Sequence, residues 1–184
     1  MNDGFLKAAA LSPSLRVADC AYNASQIVSQ LQDAAARGVR LAVFPEFCLT
    51  GYTCGDLFLQ RTLQQGALDG LQTLLDASRE LDVVALVGLP LLVRGKLYNC
   101  AAVLCGGRLL GLVPKTYLPN YGEFYEKRQF TPGSTEVETV TVCGQEVLGR
   151  DAALAQKAAQ QRPIRLGRDL EIELHLPTSS AGNI

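Results

Sequence analysis

Residues Val83–Leu89 are an unbroken apolar run with no polar side. A run this short suits a strand rather than a core helix, and a strand apolar throughout must be covered on both faces. The flanking sequence offers that cover. Asn23 is placed to cap a helix running to about Arg37, in which Ile27, Val28, Leu31, Ala34 and Ala35 recur at helical spacing and which Gly38 ends. A second helix is expected over about 61–80, with Leu63, Ala67, Leu71, Leu74, Leu75 and Ser78 on one face. Short apolar segments at 5–10 and 39–44 read as strands, and residues 48–56 as a loop rich in Thr, Gly, Cys and Asp. After the long run, Leu91–Val93 and Lys96–Leu104 flank Arg94-Gly95, and Gly106-Gly107 leads into Arg108–Val113. Both dipeptides suit two-residue hairpin turns. The order strand, helix, strand, helix, then several strands implies an α/β fold with helices packed on a mixed sheet.

The remainder is less regular. Residues 119–133 form a polar, aromatic loop. Val137–Val142 reads as a short strand, Asp151–Gln161 as an Ala- and Gln-rich helix, and Leu170–Leu176 as a strand with one wet face. At 184 residues the chain can bury one sizeable core. Its net charge of −1 gives no attraction for nucleic acid or a membrane surface, and no segment is long and apolar enough to span a bilayer. The N-terminus lacks the basic start and apolar block of a secretory signal, so a cytoplasmic location is expected. Six cysteines (Cys20, Cys48, Cys54, Cys100, Cys105 and Cys143) lack the two-residue gaps of zinc or redox pairs, and His175 is the single histidine. Reduced, mostly buried thiols and no metal site are therefore expected.

Two strand ends carry candidate chemistry. Phe44-Pro45-Glu46 closes the run from Val39, and Pro114-Lys115 closes the run from Leu109. A carboxylate and an amine so placed are what a cysteine amidase needs beside its nucleophile. Each alone is equally readable as a solvated surface charge, and their joint placement after an apolar strand and a proline is the stronger signal. Tyr117, Tyr121, Phe124, Tyr125 and Phe130 cluster in the following loop, either as pocket walls or as anchors that pin the loop to the body.

The segment Phe44–Tyr52 resembles the first signature of the carbon–nitrogen hydrolase (nitrilase) superfamily. Pro114-Lys115 resembles the second, and Glu126, followed by Phe130 and Gly133, resembles the motif of the second glutamate. Arg16–Asn23, Thr50–Phe58, Gly95–Cys100 and Lys115–Glu126 are similar to the glutaminase domain of glutamine-dependent NAD+ synthetases. The resemblance is close over 5–133 and degenerate over 134–184. It implies a nitrilase-type α-β-β-α sandwich, here incomplete at the C-terminus, with residues 1–184 as a partial glutaminase domain and the synthetase domain absent.

The same resemblance implies Glu46 as general base, Lys115 as the cation stabilising the oxyanion, and Glu126 as the group orienting the site. Tyr121, with Tyr52 and Phe124, would contact the substrate. L-glutamine would be that substrate, a synthetase domain or subunit the partner, and a homo-oligomer the assembly of the full-length family. No cofactor is implied in this domain, because ATP and Mg2+ belong to the synthetase domain.

The chain departs from the pattern at the nucleophile. The family's cysteine would be expected after Ile172, but residues 170–177 read Leu-Glu-Ile-Glu-Leu-His-Leu-Pro. Cys143 is the only cysteine after Lys115. Hydrolysis of glutamine for NAD+ synthesis is then expected to be impaired. The alternative is a non-catalytic pseudoenzyme or fragment that binds glutamine or a synthetase partner. A third reading uses Ser179 or Ser180 as nucleophile, which a site tuned for a thiol would activate poorly.

Overall fold

The computed structural model describes residues 5–134 and 138–149. The helix expected at 151–161, the strand at 170–176 and the two serines lie outside the described residues. Seven strands form one sheet: β1 (Ala8–Ala10), β2 (Leu41–Val43), β3 (Val84–Val93), β4 (Lys96–Cys105), β5 (Arg108–Pro114), β6 (Glu138–Val142) and β7 (Gln145–Gly149). Their order is β1-β2-β3-β4-β5-β7-β6. The first three run parallel, β4 is antiparallel to both its neighbours, β5 and β7 are parallel, and β6 returns antiparallel to β7.

Helices α1 (Cys20–Ala36) and α2 (Arg61–Ala77) precede β2 and β3. Their buried positions recur every three or four residues: Ala24, Ile27, Leu31 and Ala34 on α1, and Leu63, Ala67, Leu71, Leu74 and Leu75 on α2. Each buried leucine contributes about 1.5–3 kcal/mol relative to exposure. These stripes pack on one sheet face, where Ala85, Val87, Leu89 and Leu91 of β3 lie beside Cys100, Ala102 and Leu104 of β4 and Leu112 of β5.

Helix α1 begins earlier than its sequence suggests. Asp19 is the cap, accepting from the backbone N–H of Tyr22 at 3.1 Å. Asn23 lies inside the helix and is fully buried. Its Oδ1 accepts from the Arg16 N–H at 2.7 Å, and its Nδ2 donates to the carbonyls of Arg16 (2.8 Å) and Leu49 (3.2 Å). An Asn at the head of an apolar stripe resembles a cap, but here it ties two loops to the helix. The helix ends as expected. The N–H groups of Gly38 and Val39 donate to the carbonyls of Ala35 and Ala34, with Gly38 at φ 75°.

Strand β3 runs straight through Pro90, where the sequence suggested a break. The carbonyl of Asn99, which faces Pro90 across the ladder, accepts from Lys115 on the far side at 2.7 Å. In an antiparallel ladder this makes Pro90 and Asn99 a non-hydrogen-bonded pair. The Pro90 nitrogen thus points away from β4, and β2 stops opposite Leu86, so the missing N–H breaks no ladder bond. Arg94-Gly95 and Gly106-Gly107 make the expected two-residue turns with both φ angles positive. Cys143-Gly144 (φ 50° and 71°) makes a third, which joins β6 to β7. Residues 52–59 form a 3-10 helix broken at Gly55, within what reads as loop.

One close approach places the loop that matters most. A Cβ on Gly88 would lie 2.5 Å from the Phe47 nitrogen, 2.7 Å from the Pro45 oxygen and 2.9 Å from the Glu46 Cα. The loop after β2 therefore lies directly on β3. The Leu49 N–H donates to the Gly88 carbonyl at 3.3 Å and the Cys48 thiol at 3.6 Å. Gly88→Ala is expected to cost about 1–3 kcal/mol, as overpacked sites do, because backbone must yield. A fall in the urea midpoint at unchanged slope would show it. A variant as stable as the parent would mean that the loop moves freely.

Candidate active site

Glu46 follows β2 at the point where the chain crosses Gly88. The next residue, Phe47, sits at φ 51°, in the left-handed region that costs a side chain about 1–2 kcal/mol. Packing holds it there. Phe47 is 1% exposed, with ring centroids 4.8 Å from Phe58, 5.1 Å from Phe130 and 5.9 Å from Tyr52. Backbone bonds add to this, since the Phe47 carbonyl accepts from Thr50 (3.0 Å) and Gly51 (2.7 Å). Glu46 is thereby held at a rigid corner.

Lys115 follows β5, and its N–H donates to the carbonyl of Asn99 in the middle of β4. The loop that leaves there returns to the same strands. Thr131 donates to Leu97 at 2.7 Å and Gly133 to Lys115 at 2.9 Å. Near the end of the loop is a single helical turn, α3 (Glu126–Gln129). Arg128 makes two bonds to the carboxylate of Asp56, at 2.8 and 2.9 Å, joining this turn to the 3-10 helix.

These elements meet at one ammonium. Lys115 Nζ donates to Glu46 Oε1 and Glu126 Oε1, both at 2.9 Å. Glu126 is 6% exposed and also accepts from the Tyr52 hydroxyl at 2.9 Å, while its Oε2 is buried without a partner. Asn99 Nδ2 donates to Glu46 Oε1 over a short contact. Burial acts against the lysine charge, but hydrogen bonds and charge from both glutamates outweigh it and raise the Lys115 pKa above 10.5. Burial also pushes the Tyr52 phenol up to about 12, aided by its bond to Glu126 and by the charges of both glutamates, with Lys115 opposing.

The site residues named from the sequence thus fall into two groups. Glu46, Lys115, Glu126 and Tyr52 form one connected cluster. Tyr121 and Phe124 form a separate edge-to-face pair at 5.9 Å on the loop, with Tyr121 exposed. Tyr117 and Tyr125 are exposed as well, whereas Phe130 is a buried anchor against Phe47 and Phe58. Asn99 joins the charged cluster without a motif of its own in the sequence. Its signal was a polar residue at an inward position of an apolar strand.

All six cysteines are free. Burial raises the thiol of Cys20 to about 11 and those of Cys48 and Cys100 to about 12. It raises those of Cys54, Cys105 and Cys143 as well. Cys143 turns toward α2, donating to the Leu68 carbonyl at 3.6 Å, on the helix-covered face of the sheet rather than beside Glu46. Among the described residues no three His, Cys, Asp or Glu side chains group as metal ligands.

The chain is similar to known proteins in sequence and in fold. The profile of the family described as carbon-nitrogen hydrolase matches residues 7–153. A glutamine-dependent NAD(+) synthetase of Mycobacterium bovis is 40% identical over 153 residues, 83% of this chain and 22% of the relative. The crystal structure of a glutamine-dependent NAD(+) synthetase from Cytophaga hutchinsonii superposes with a TM-score of 0.74 at 25% identity, covering 79% of this chain and 25% of that one. A glutamine-dependent NAD+ synthetase from Acinetobacter baumannii gives 0.67 at 27% identity, covering 85% and 30%. The chain thus spans about a fifth to a third of the length of these proteins. The mixed α/β fold is that of the nitrilase superfamily.

Two outcomes follow from the packing and the charges. Phe47→Ala is expected to cost about 3–5 kcal/mol, since alanine empties the aromatic pocket and keeps the Cβ that makes the positive φ costly, and denaturant unfolding measures it. The Tyr52 proton is held more tightly in the folded chain than in the unfolded one. Its contribution to stability is therefore full below pH 10.0 and is lost as pH rises toward about 12. Ultraviolet titration of the native chain against Tyr52→Phe should isolate one phenolate transition near pH 12, and a transition at the ordinary value of 10.0 would contradict the part-buried bond to Glu126.

Proposed function

The chain belongs to the carbon–nitrogen hydrolase family, and from that premise we propose that it recognises the side-chain amide of L-glutamine as the amide-hydrolysing domain of NAD+ synthesis. The observation that carries this reading is Lys115 held between Glu46 and Glu126. In it, Glu46 moves the proton between the nucleophile and the departing ammonia, and Lys115 faces the oxygen on which negative charge develops. Glu126 holds Lys115 in place, and Tyr121, Tyr52 and Phe124 contact the glutamine. ATP and Mg2+ are assigned to a synthetase domain outside these residues. That domain or subunit is the partner that receives the ammonia, and self-association and a cytoplasmic location belong to the same reading. No helix among the described residues is long and apolar enough to cross a membrane.

Turnover needs a nucleophilic thiol beside the cluster, and the six thiols do not supply one readily. Each has a raised pKa, and none hydrogen-bonds to Glu46, Lys115 or Glu126. Residues 1–184 are therefore proposed to bind glutamine with little or no hydrolysis. Persistence of the charged cluster without a neighbouring thiol also supports the second reading, a non-catalytic binder of glutamine or of a synthetase partner.

Calorimetric titration with L-glutamine, beside a coupled assay for released ammonia, tests both parts. Saturable binding without ammonia is expected. Lys115→Met should weaken binding roughly 10–100-fold, as loss of a charge-assisted hydrogen bond of about 1.5–3 kcal/mol implies. No heat with glutamine would sink the substrate assignment. Ammonia release that disappears in Glu46→Gln would sink the claim of impairment.

A further inference from the structure

Asn99 is 4% exposed, in the middle of β4, and its polar side chain serves no ladder bond. Its backbone and side chain each hold one member of the charged cluster. The carbonyl accepts from the Lys115 N–H at 2.7 Å, which sets where the lysine stem leaves β5. The Nδ2 donates to Glu46 Oε1, the same oxygen that accepts from Lys115 Nζ at 2.9 Å. Two donors converge on that oxygen, and Glu46 Oε2 has no partner among the described residues.

We propose that Asn99 is a positioning residue for Glu46, fixing the rotation of its carboxylate so that Oε2 is the oxygen left to take a proton. This rests on the reading of Glu46 as the proton acceptor. Lys115 alone does not fix that rotation, because an ammonium offers three equivalent donors on a flexible stem. A planar amide on a strand defines one direction, and toward an ionised carboxylate only its NH2 edge is attractive. Glu46 is the more exposed carboxylate of the cluster, its side chain 40% exposed against 6% for Glu126. It is thus the one that needs a fixed partner to keep a single orientation beside water.

The test uses the full 184-residue chain, isotopically labelled, in a nuclear magnetic resonance pH titration of the Lys115 side chain. If Asn99 holds Glu46 against Lys115, Asn99→Leu moves the Lys115 titration to lower pH, in the same direction as Glu46→Ala. In the Glu46→Ala background, Asn99→Leu then has no further effect. A Lys115 titration unchanged by Asn99→Leu but lowered by Glu46→Ala overturns the proposal. Where Asn99→Leu does not fold, the side-chain amide signals of native Asn99 decide. They should exchange slowly with water and lose that protection in Glu46→Ala, and signals indifferent to Glu46→Ala overturn the proposal too. Neither measurement involves glutamine. A failure to bind glutamine would sink the function proposed above and leave this coupling standing.

Discussion

One ammonium between two carboxylates fixes the geometry of everything around it. From the end of β5, Lys115 ties together the corner after β2, 69 residues away in sequence, and the turn carrying Glu126, 11 residues further on. An exposed ion pair is worth little, because water screens it and two long side chains must be ordered. This one differs in its surroundings. The Lys115 and Glu46 side chains are 31% and 40% exposed, Glu126 is buried, and Tyr52 and Asn99 occupy further lone pairs on the same two oxygens that Lys115 contacts. Removing the lysine would leave two carboxylates facing each other with only neutral donors between them, so cation and anions stand or fall as a unit.

The cluster keeps its shape because its supports are apolar and stiff. Glu46 is set by a residue with a strained backbone, and strain of that kind persists only where packing over-determines it. Phe47 is locked by Phe58 and Phe130, and Phe130 itself ends the loop that carries Glu126. The same aromatic contact therefore positions both carboxylates. Beneath it Gly88 lets the loop rest on the sheet, so the distance from Glu46 to β4 and β5 is set by backbone rather than by mobile side chains.

The elements legible in the sequence were those whose signal is local. The apolar stripe of α2, the Gly38 end of α1 and the two glycine turns at 94–95 and 106–107 all stand as expected, because periodicity and positive φ are short-range properties. Glu46 and Lys115 were legible through the apolar run and proline before each. Two kinds of feature were hidden. Asn23 reads as a cap because its partners, Arg16 and Leu49, are tertiary and leave no local signal. The role of Asn99 depends on strand register, since a polar residue in an apolar strand does not announce which carboxylate lies across the sheet. Strand β7 is hidden in the sequence although Cys143-Gly144 repeats the turn pattern of the other hairpins, because Gln145–Gly149 shows little apolar alternation by itself.

The charge balance of the cluster bears on how a thiol could be used here. Two carboxylates and one ammonium leave a net charge of −1, and the cation is committed to both anions before any ligand arrives. A thiol brought beside Glu46 would meet a negative field rather than a positive one. Such a field disfavours a standing thiolate, as burial does for the six thiols present. Activation by a pre-formed thiolate–cation pair is therefore the less suitable route in this geometry. Under the proposed function, transfer of the thiol proton to Glu46 during attack is the more suitable one, since the cluster then becomes neutral as the sulfur bonds to carbon. Lys115, released from half of its partnership by that protonation, could then turn its charge toward the oxyanion at the moment it forms. A carboxylate with both donors on one oxygen, as Asn99 and Lys115 meet Glu46 Oε1, would suit that sequence better than a freely rotating one, and on the positioning role proposed for it the amide on β4 would bear on the chemistry as well as on the fold.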